Sequence, residues 1–379
     1  MRLLIVPHAT AVKIRTRAGE LARALGELGH QVDVLRHCVP APGLSTIGKI
    51  QWNLREVFGL QQPTPLSERV RAIYIPSCYR IPRLDSILAN RGMRRLADGA
   101  YDVIHSAAYG RESVPVPRTA RFVYDLVDDH ADGYRQLGQP DLAARIDEFV
   151  RDQIKRADVV TVSALHLQEI VRQRFARDSV YVPNGVNIAA IRASGPRPSS
   201  SSAQRVGYMG GLDTYVNIRV VVAALEKLRA AGRNVELDII GDGEAIRNWT
   251  PPAWVRLLGF RPPDEIPTLM QSFAVGLLPF ELCSLTDAAL PLKVLEHGAA
   301  RQWVVASPIR ELRLQQFPWV LLTPLDADAW AQAVAQALDA PWPANADAVV
   351  ERFDWRNVAE MLLGAVTASA PVGRERRHE

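Results

Sequence analysis

The sequence predicts an α/β protein built from two doubly wound sheets in tandem, and three observations predict it. Short apolar runs alternate with longer helical patterns along both halves of the 379-residue chain, the signature of strand–helix–strand units. The run Ser194-Gly195-Pro196-Arg197-Pro198-Ser199-Ser200-Ser201-Ser202 interrupts that alternation with residues that bury little apolar surface, and it reads as a linker. With 48% apolar and 23% charged residues, the chain carries enough core-forming material for two domains of ordinary size. The expected division is a first domain over 1–193, a linker over 194–204 and a second domain over 205–352. The segment 353–379 then returns to the first domain as a C-terminal crossover helix.

Met1-Arg2-Leu3-Leu4-Ile5-Val6 runs directly into Pro7 and His8, so it reads as a first strand, not a secretory leader. A loop with Lys13, Arg15 and Arg17 leads to a helix over 18–28, stopped by Gly29-His30. Val32-Asp33-Val34-Leu35 is the next strand, which completes one βαβ unit and implies a parallel sheet with a right-handed crossover. The first strand-to-helix loop lacks the G-x-G-x-x-G spacing, which counts against a nicotinamide enzyme. Strand-like runs follow at 72–75, 103–105, 121–126, 159–162 and 180–182. After the linker the pattern restarts with strands at 205–209, 235–240, 255–258, 275–278 and 303–306. Helices are expected over 218–231, 266–272 and onward from Pro291, and the tail 354–365 reads as a final helix. Two such halves imply a cleft between facing strand ends, where open parallel sheets take their ligands.

No stretch of eighteen apolar residues occurs, so the expected location is the cytoplasm. Cys38, Cys78 and Cys283 stand apart without metal or redox spacing and read as packing residues in a reducing compartment. The net charge of +4 is unevenly placed: residues 41–100 hold nine Lys/Arg against four acids. Such a stretch suits anionic lipid headgroups, phosphorylated acceptors or nucleic acid, and its commoner role is a solvated arginine-rich face. Ile47, Ile50, Leu54, Val57 and Phe58 fall at helical spacing within it. That helix fits either a bilayer surface or, more commonly, the face of its own sheet.

The segment Ala289-Leu290-Pro291-Leu292-Lys293-Val294-Leu295-Glu296-His297-Gly298 carries the most chemistry. A proline at a helix start leaves backbone N–H groups and partial positive charge for an anion. Lys293 and Glu296, three residues apart, then share a face on which one meets a phosphate and the other accepts from a ribose diol. The plain alternative is a solvated Lys–Glu pair on an amphipathic helix.

Four motifs in order resemble the GT-B glycosyltransferases, enzymes with two Rossmann-like domains facing a central cleft. They are Ala157-Asp158-Val159-Val160-Thr161-Val162-Ser163, Val182-Pro183-Asn184-Gly185-Val186-Asn187, Ile239-Ile240-Gly241-Asp242-Gly243 and Leu290-Pro291-Leu292-Lys293-Val294-Leu295-Glu296. Two further runs, Val123 to His130 and Val206 to Leu212, look most like a bacterial branch that builds cell-envelope polysaccharide, including teichuronic-acid-type and uronosyl transferases. The resemblance implies a sugar moved from a nucleoside-diphosphate donor, UDP favoured, to a hydroxyl acceptor, with the acceptor on the first domain. A lipid-linked glycan and a natural-product aglycone both remain open as acceptors, and peripheral membrane contact would run through 41–100. No nucleic-acid partner and no cofactor beyond the nucleotide-sugar co-substrate are implied.

By the same resemblance the donor site gathers Gly210, Gly211, Gly241, Gly243, Phe260, Arg261, Lys293 and Glu296. The larger retaining branch carries an Arg and a Lys soon after the first glycines and a Glu eight residues before its ribose Glu. Here the segment is Leu212-Asp213-Thr214-Tyr215-Val216-Asn217, and Ala288 stands eight before Glu296. Both departures favour inversion, in which a group at the cleft edge takes the acceptor proton. Asp128, Asp129 and His130 are the first candidates, since adjacent carboxylates raise one another's pKa, and His105 is the second. The alternatives there are a loop cap and a structural histidine. Asp125 and Asp128 do not form a D-x-D pair, so no metal is expected. Competing functions are a sugar-nucleotide epimerase on the same fold and a non-catalytic two-lobed binding protein.

Overall fold

Leu3, Leu4 and Ile5 are wholly buried because β1 (Arg2–Val6) lies inside its sheet with neighbours on both edges, which is why its sequence is apolar throughout and does not alternate. The structure, a computed structural model, describes residues 1–7, 16–36, 63–74, 101–109, 116–195 and 203–368. Lys13, Arg15, Cys38, Cys78, the amphipathic run at 47–58, most of the basic stretch 41–100 and the core of the serine-rich linker lie outside the described residues.

The chain forms two compact units. The first comprises Met1–Ser163, Leu167–Val182 and Val358–Glu379. Its strands are β1, β2 (Gln31–Arg36), β3 (Thr64–Pro65), β4 (Val70–Tyr74), β5 (Val103–Ser106), β6 (Arg121–Leu126), β7 (Val159–Val162) and β8 (Val180–Tyr181), in the spatial order β3-β4-β2-β1-β5-β6-β7-β8. All neighbours are parallel except β3 and β4, which run antiparallel. The wholly parallel sheet expected for this half is therefore mixed. Thr64-Pro65 is too short for a period-2 pattern to announce it, and Pro65, with no N–H to donate, fits only an outer strand.

Arg17, assigned by the sequence to a loop, opens the helix Arg17–Glu27, whose N-cap Thr16 accepts from the Gly19 N–H. Its guanidinium turns inward and is 6% exposed. Nε and Nη2 grip the Asp125 carboxylate of β6 at 2.8 and 3.2 Å, and Nη2 also donates to the Val182 carbonyl at 2.6 Å. Thr161 of β7 donates to Asp125 Oδ1 at 2.7 Å. Burial alone would raise the Asp125 carboxyl, but the Arg17 charge, with His105 beside it, holds it well below the usual range. One buried ion pair thus ties the first helix to β6, β7 and the residue after β8.

The second unit comprises Ala164–His166 and Pro183–Asn357. Its strands β9 (Gln204–Met209), β10 (Val235–Ile240), β11 (Val255–Gly259), β12 (Val275–Leu278), β13 (Trp303–Ala306) and β14 (Val320–Leu322) are all parallel, in the order β11-β10-β9-β12-β13-β14. The sequence reading lacked β14, whose three residues carry no periodicity. It also lacked the helix Ala327–Asp339, which buries Trp330 fully in the core with Val206, Leu237, Val275 and Val305. Residues after Val182 join this unit because Gly185 packs on the Trp355 ring, Val186 bridges Asp354, and Arg192 reaches Asp347. The last helix, Trp355–Ala368, begins with this unit and from Val358 onward belongs with the first.

Asp125→Ala leaves the Arg17 guanidinium buried without its counter-charge. Urea denaturation should show a loss of about 3–5 kcal/mol in the first unit, most of it recovered when Arg17→Met and Asp125→Leu are combined.

Candidate functional site

In an all-parallel sheet every strand ends at one edge, so the second unit presents the turns after β9, β10, β11 and β12 together. Strand order reverses between β9 and β12, because the chain moves outward through β10 and β11 and returns on the other side of β9. That reversal is where open α/β sheets leave a crevice. Gly210-Gly211 follows β9, Gly241-Asp242-Gly243 follows β10, and Phe260-Arg261 follows β11. The two glycine turns are joined: Gly210 N–H donates to Ile240 O at 3.0 Å and Leu212 N–H to Asp242 O at 3.1 Å. A Cβ on Gly241, at φ +134°, would lie 1.9 Å from Gly210 O, and one on Gly243 would lie 2.3 Å from Leu212 O. These two glycines are therefore required by loop-on-loop packing before any ligand is considered. Gly211 is exposed, and Phe260 is 71% exposed at the same rim. Arg261 donates to Leu258 O at 3.0 Å.

Lys293 and Glu296 lie in the first turns of the helix Leu292–Ala299, Lys293 Nζ to Glu296 Oε2 at 2.8 Å, both partly exposed. Pro291 occupies the N-cap, so the helix begins one residue later than the sequence suggested, and no side chain caps it. Asn184, of the Val-Pro-Asn-Gly-Val motif, donates to Leu290 O at 3.2 Å and so holds the approach to this helix. The helix's inner face is fixed by close fits. The His297 ring lies over Gly276 of β12, where a Cβ would meet it at 2.4 Å, and Gly298 lies against Trp319. Trp319 Nε1 donates to Val294 O at 3.0 Å. Gln302 Nε2 donates to Met270 O and Phe273 O, which leaves its Oε1 as acceptor for His297 Nδ1 at 2.7 Å. The neutral Nδ1–H tautomer follows from that network. Burial lowers the His297 pKa to about 4, against a smaller raising effect of Gln302.

In the first unit, Asp128, Asp129 and His130 follow β6 and start the helix His130–Gln136. The two carboxylates have different surroundings. Asp129 is buried, caps that helix by accepting from Asp132 N–H at 3.3 Å, and is held by both Arg174 terminal nitrogens at 3.0 and 2.8 Å. Asp128 accepts no hydrogen bond among the described residues and keeps partial exposure. Burial, opposed by Arg17 and assisted by Asp125 and Asp129, pushes it up to about 7. His105, on β5, is 2% exposed, with Nε2 3.4 Å from Asp125 Oδ2. It faces the buried pair. His130 stacks on Tyr109, ring centroids 3.7 Å apart. A cavity of about 10 Å³ beside Asp128, Asp129 and Arg174 has room for roughly one water, too little for a sugar.

Sequence reasoning missed Arg17, Arg174 and Tyr109. An isolated arginine or tyrosine far from its partner in sequence gives no local signal, although Asp125, charged inside an apolar strand, announced a buried partner. Among the described residues no group of three His, Cys, Asp or Glu is arranged to hold a metal ion, and no helix is long and apolar enough to cross a membrane.

Residues 203–340 match the family model for glycosyl transferases group 1, and residues 14–185 match that for the glycosyl transferase 4-like domain. A curated relative, "Putative teichuronic acid biosynthesis glycosyltransferase TuaH" of Bacillus subtilis (strain 168), is 27% identical over 184 residues, 44% of this chain and 44% of the relative's length. Among solved structures, sucrose-phosphate synthase (tll1590) from Thermosynechococcus elongatus superposes with a TM-score of 0.70 at 15% identity, over 96% of this chain and 97% of the other. A mutant of S. aureus TarM, in complex with Fondaparinux, alpha-GlcNAc-glycerol and UDP, gives 0.67 at 9% identity, over 97% and 100%. Anabaena Alr3699/HepE in complex with UDP and glucose gives 0.62 at 14%, over 97% and 99%.

The folded His297 pKa of about 4 lies below the ordinary value of 6.5, so the folded state binds fewer protons than the unfolded one in that interval. The stability from a neutral His297 is fully present above pH 6.5 and is lost as pH falls toward 4. Unfolding of the second unit, followed by urea titration at several pH values, should weaken by about 3 kcal/mol across that window. His297→Asn should be less stable at neutral pH and should lack that slope.

Proposed function

The chain is a glycosyltransferase of the GT-B fold, and from that premise we propose that it moves a sugar from a UDP donor to a hydroxyl of a carbohydrate acceptor in bacterial cell-envelope polysaccharide synthesis. The observation that carries the donor half is the Lys293–Glu296 pair, set at an uncapped helix start on the strand-end edge of an all-parallel sheet. The pair is a placeholder for the ligand. On binding, Lys293 Nζ leaves Glu296 for the diphosphate, and the Glu296 carboxylate accepts from the ribose diol instead. The Gly211 N–H, with no internal partner among the described residues, and the free N–H groups of the helix start add donors to the phosphates. Phe260 and Arg261 line the rim on the nucleoside side. Charge compensation from Lys293 and the helix end is the basis for proposing transfer without a metal.

Asp128 is the base. As the glycosidic bond forms, its carboxylate takes the proton from the acceptor hydroxyl, and UDP leaves with the electrons of the broken bond to the sugar. Asp129, committed to Arg174 and to the helix cap, keeps the backbone at Asp128 in place. UDP as carrier is supported by its presence with HepE and TarM, and envelope polysaccharide by the name of the Bacillus relative. The proposed location is the cytoplasm, with the basic stretch 41–100 toward an anionic membrane face.

Calorimetry with UDP, GDP, dTDP and ADP should show one diphosphate, UDP, binding clearly, and Lys293→Ala should weaken it about tenfold or more. No binding by any of the four would overturn the donor assignment. The base assignment predicts kcat/KM rising with pH through an apparent pKa of about 7, because the deprotonated form is the active one. Asp128→Asn should lower kcat by roughly two to four orders of magnitude and abolish that limb.

A further inference from the structure

Tyr109 lies three residues beyond β5, and the buried Tyr124 hydroxyl pins the backbone just before it by donating to Ala108 O at 3.1 Å. Its ring lies nearly flat on the His130 imidazole, 3.7 Å between centroids and 23° between planes. Its hydroxyl lies close enough to Tyr134 to interact with it electrostatically. His130 and Tyr134 stand four apart on the helix His130–Gln136, so one helical face backs the tyrosine at two points. That helix is itself fixed at its start by the Asp129 cap and by Arg174. Asp128 immediately precedes it and is near enough to act electrostatically on the Tyr109 hydroxyl. Tyr109 and His130 both keep part of their surface open.

A flat aromatic surface held from two sides, next to a carboxylate that accepts no hydrogen bond among the described residues, matches one ligand shape well. A pyranose ring has an apolar C–H face and a rim of hydroxyls. The face covers an aromatic ring, and the rim stays free for polar groups. His130 covers one face of Tyr109, and the ring keeps part of its remaining surface open to a ligand. An acyclic polyol or a lipid alcohol lacks the flat apolar face and gains little there. We propose that Tyr109, backed by His130, is the platform on which a pyranose of the acceptor stacks, so that one of its rim hydroxyls is delivered to Asp128. This rests on the transferase reading and assigns Tyr109 the selection of the acceptor's ring.

The test is saturation-transfer NMR with methyl hexosides and methyl uronosides as probes, added to the full chain with UDP present. Glycerol 3-phosphate and n-octanol serve as non-ring probes. At least one glycoside should bind the wild type. Tyr109→Ala should weaken it about tenfold, whereas Tyr109→Phe, which keeps the stack, should stay within about threefold. UDP calorimetry on each variant checks that the protein is folded. If no glycoside binds, if the non-ring probes bind better, or if Tyr109→Ala and Tyr109→Phe behave alike, the platform is overturned. If UDP itself fails to bind the wild type, the donor assignment fails, and the glycoside signals still decide the platform separately.

Discussion

The Arg17–Asp125 ion pair is the constraint on which the packing of the first helix against the first unit's strand ends depends. Its two ends are 108 residues apart in sequence, and both are almost without solvent. Taking two charges out of water costs several kcal/mol per ion unless geometry and extra hydrogen bonds compensate. Here the bidentate contact, the Thr161 hydroxyl and the Val182 carbonyl supply that compensation. The consequence reaches three residues along the chain. Burial is what chiefly pushes the Asp128 carboxyl up to about 7, with Arg17 opposing and the Asp125 and Asp129 charges adding to the rise.

Neighbouring carboxylates of the same type are separated by what they bond. Asp129 is neutralised by Arg174, whose other contact, Asp147, belongs to the helix Pro140–Arg156 and also pairs with Arg135. This network occupies Asp129, whereas Asp128 accepts no hydrogen bond among the described residues. The same division appears in the second unit. His297, buried and neutral, positions the helix through Gly276 and Gln302, while Lys293 and Glu296 on the outer side stay partly exposed and paired with each other.

Part of the candidate site's geometry was legible from local pattern. Helix spacing put Lys293 and Glu296 on one face, and strand-then-glycine placed Gly210, Gly211, Gly241 and Gly243 at strand ends. The reason for two of those glycines was not legible, because the clash that excludes a Cβ at Gly241 is with Gly210 O, on an earlier loop one strand and one helix away. The adjacency of Asp128 and Asp129 announced a raised pKa without saying which carboxylate would carry it. That required Arg174, which lies 45 residues beyond Asp129.

The sequence by itself determined the α/β class, the strands longer than three residues, the presence of two α/β halves and the Lys293–Glu296 spacing, because these follow from periodicity and from rules acting within a few residues. Tertiary structure alone decided that β3 turns the first sheet mixed, that β14 closes the second, that Arg17 is a core residue, that Arg174 grips Asp129 and not Asp128, and that Tyr109 lies on His130. Each of these depends on a partner distant along the chain. Desolvation, ion pairing and ring stacking act through space, and a one-dimensional pattern carries no record of which distant groups the fold brings within a few ångströms.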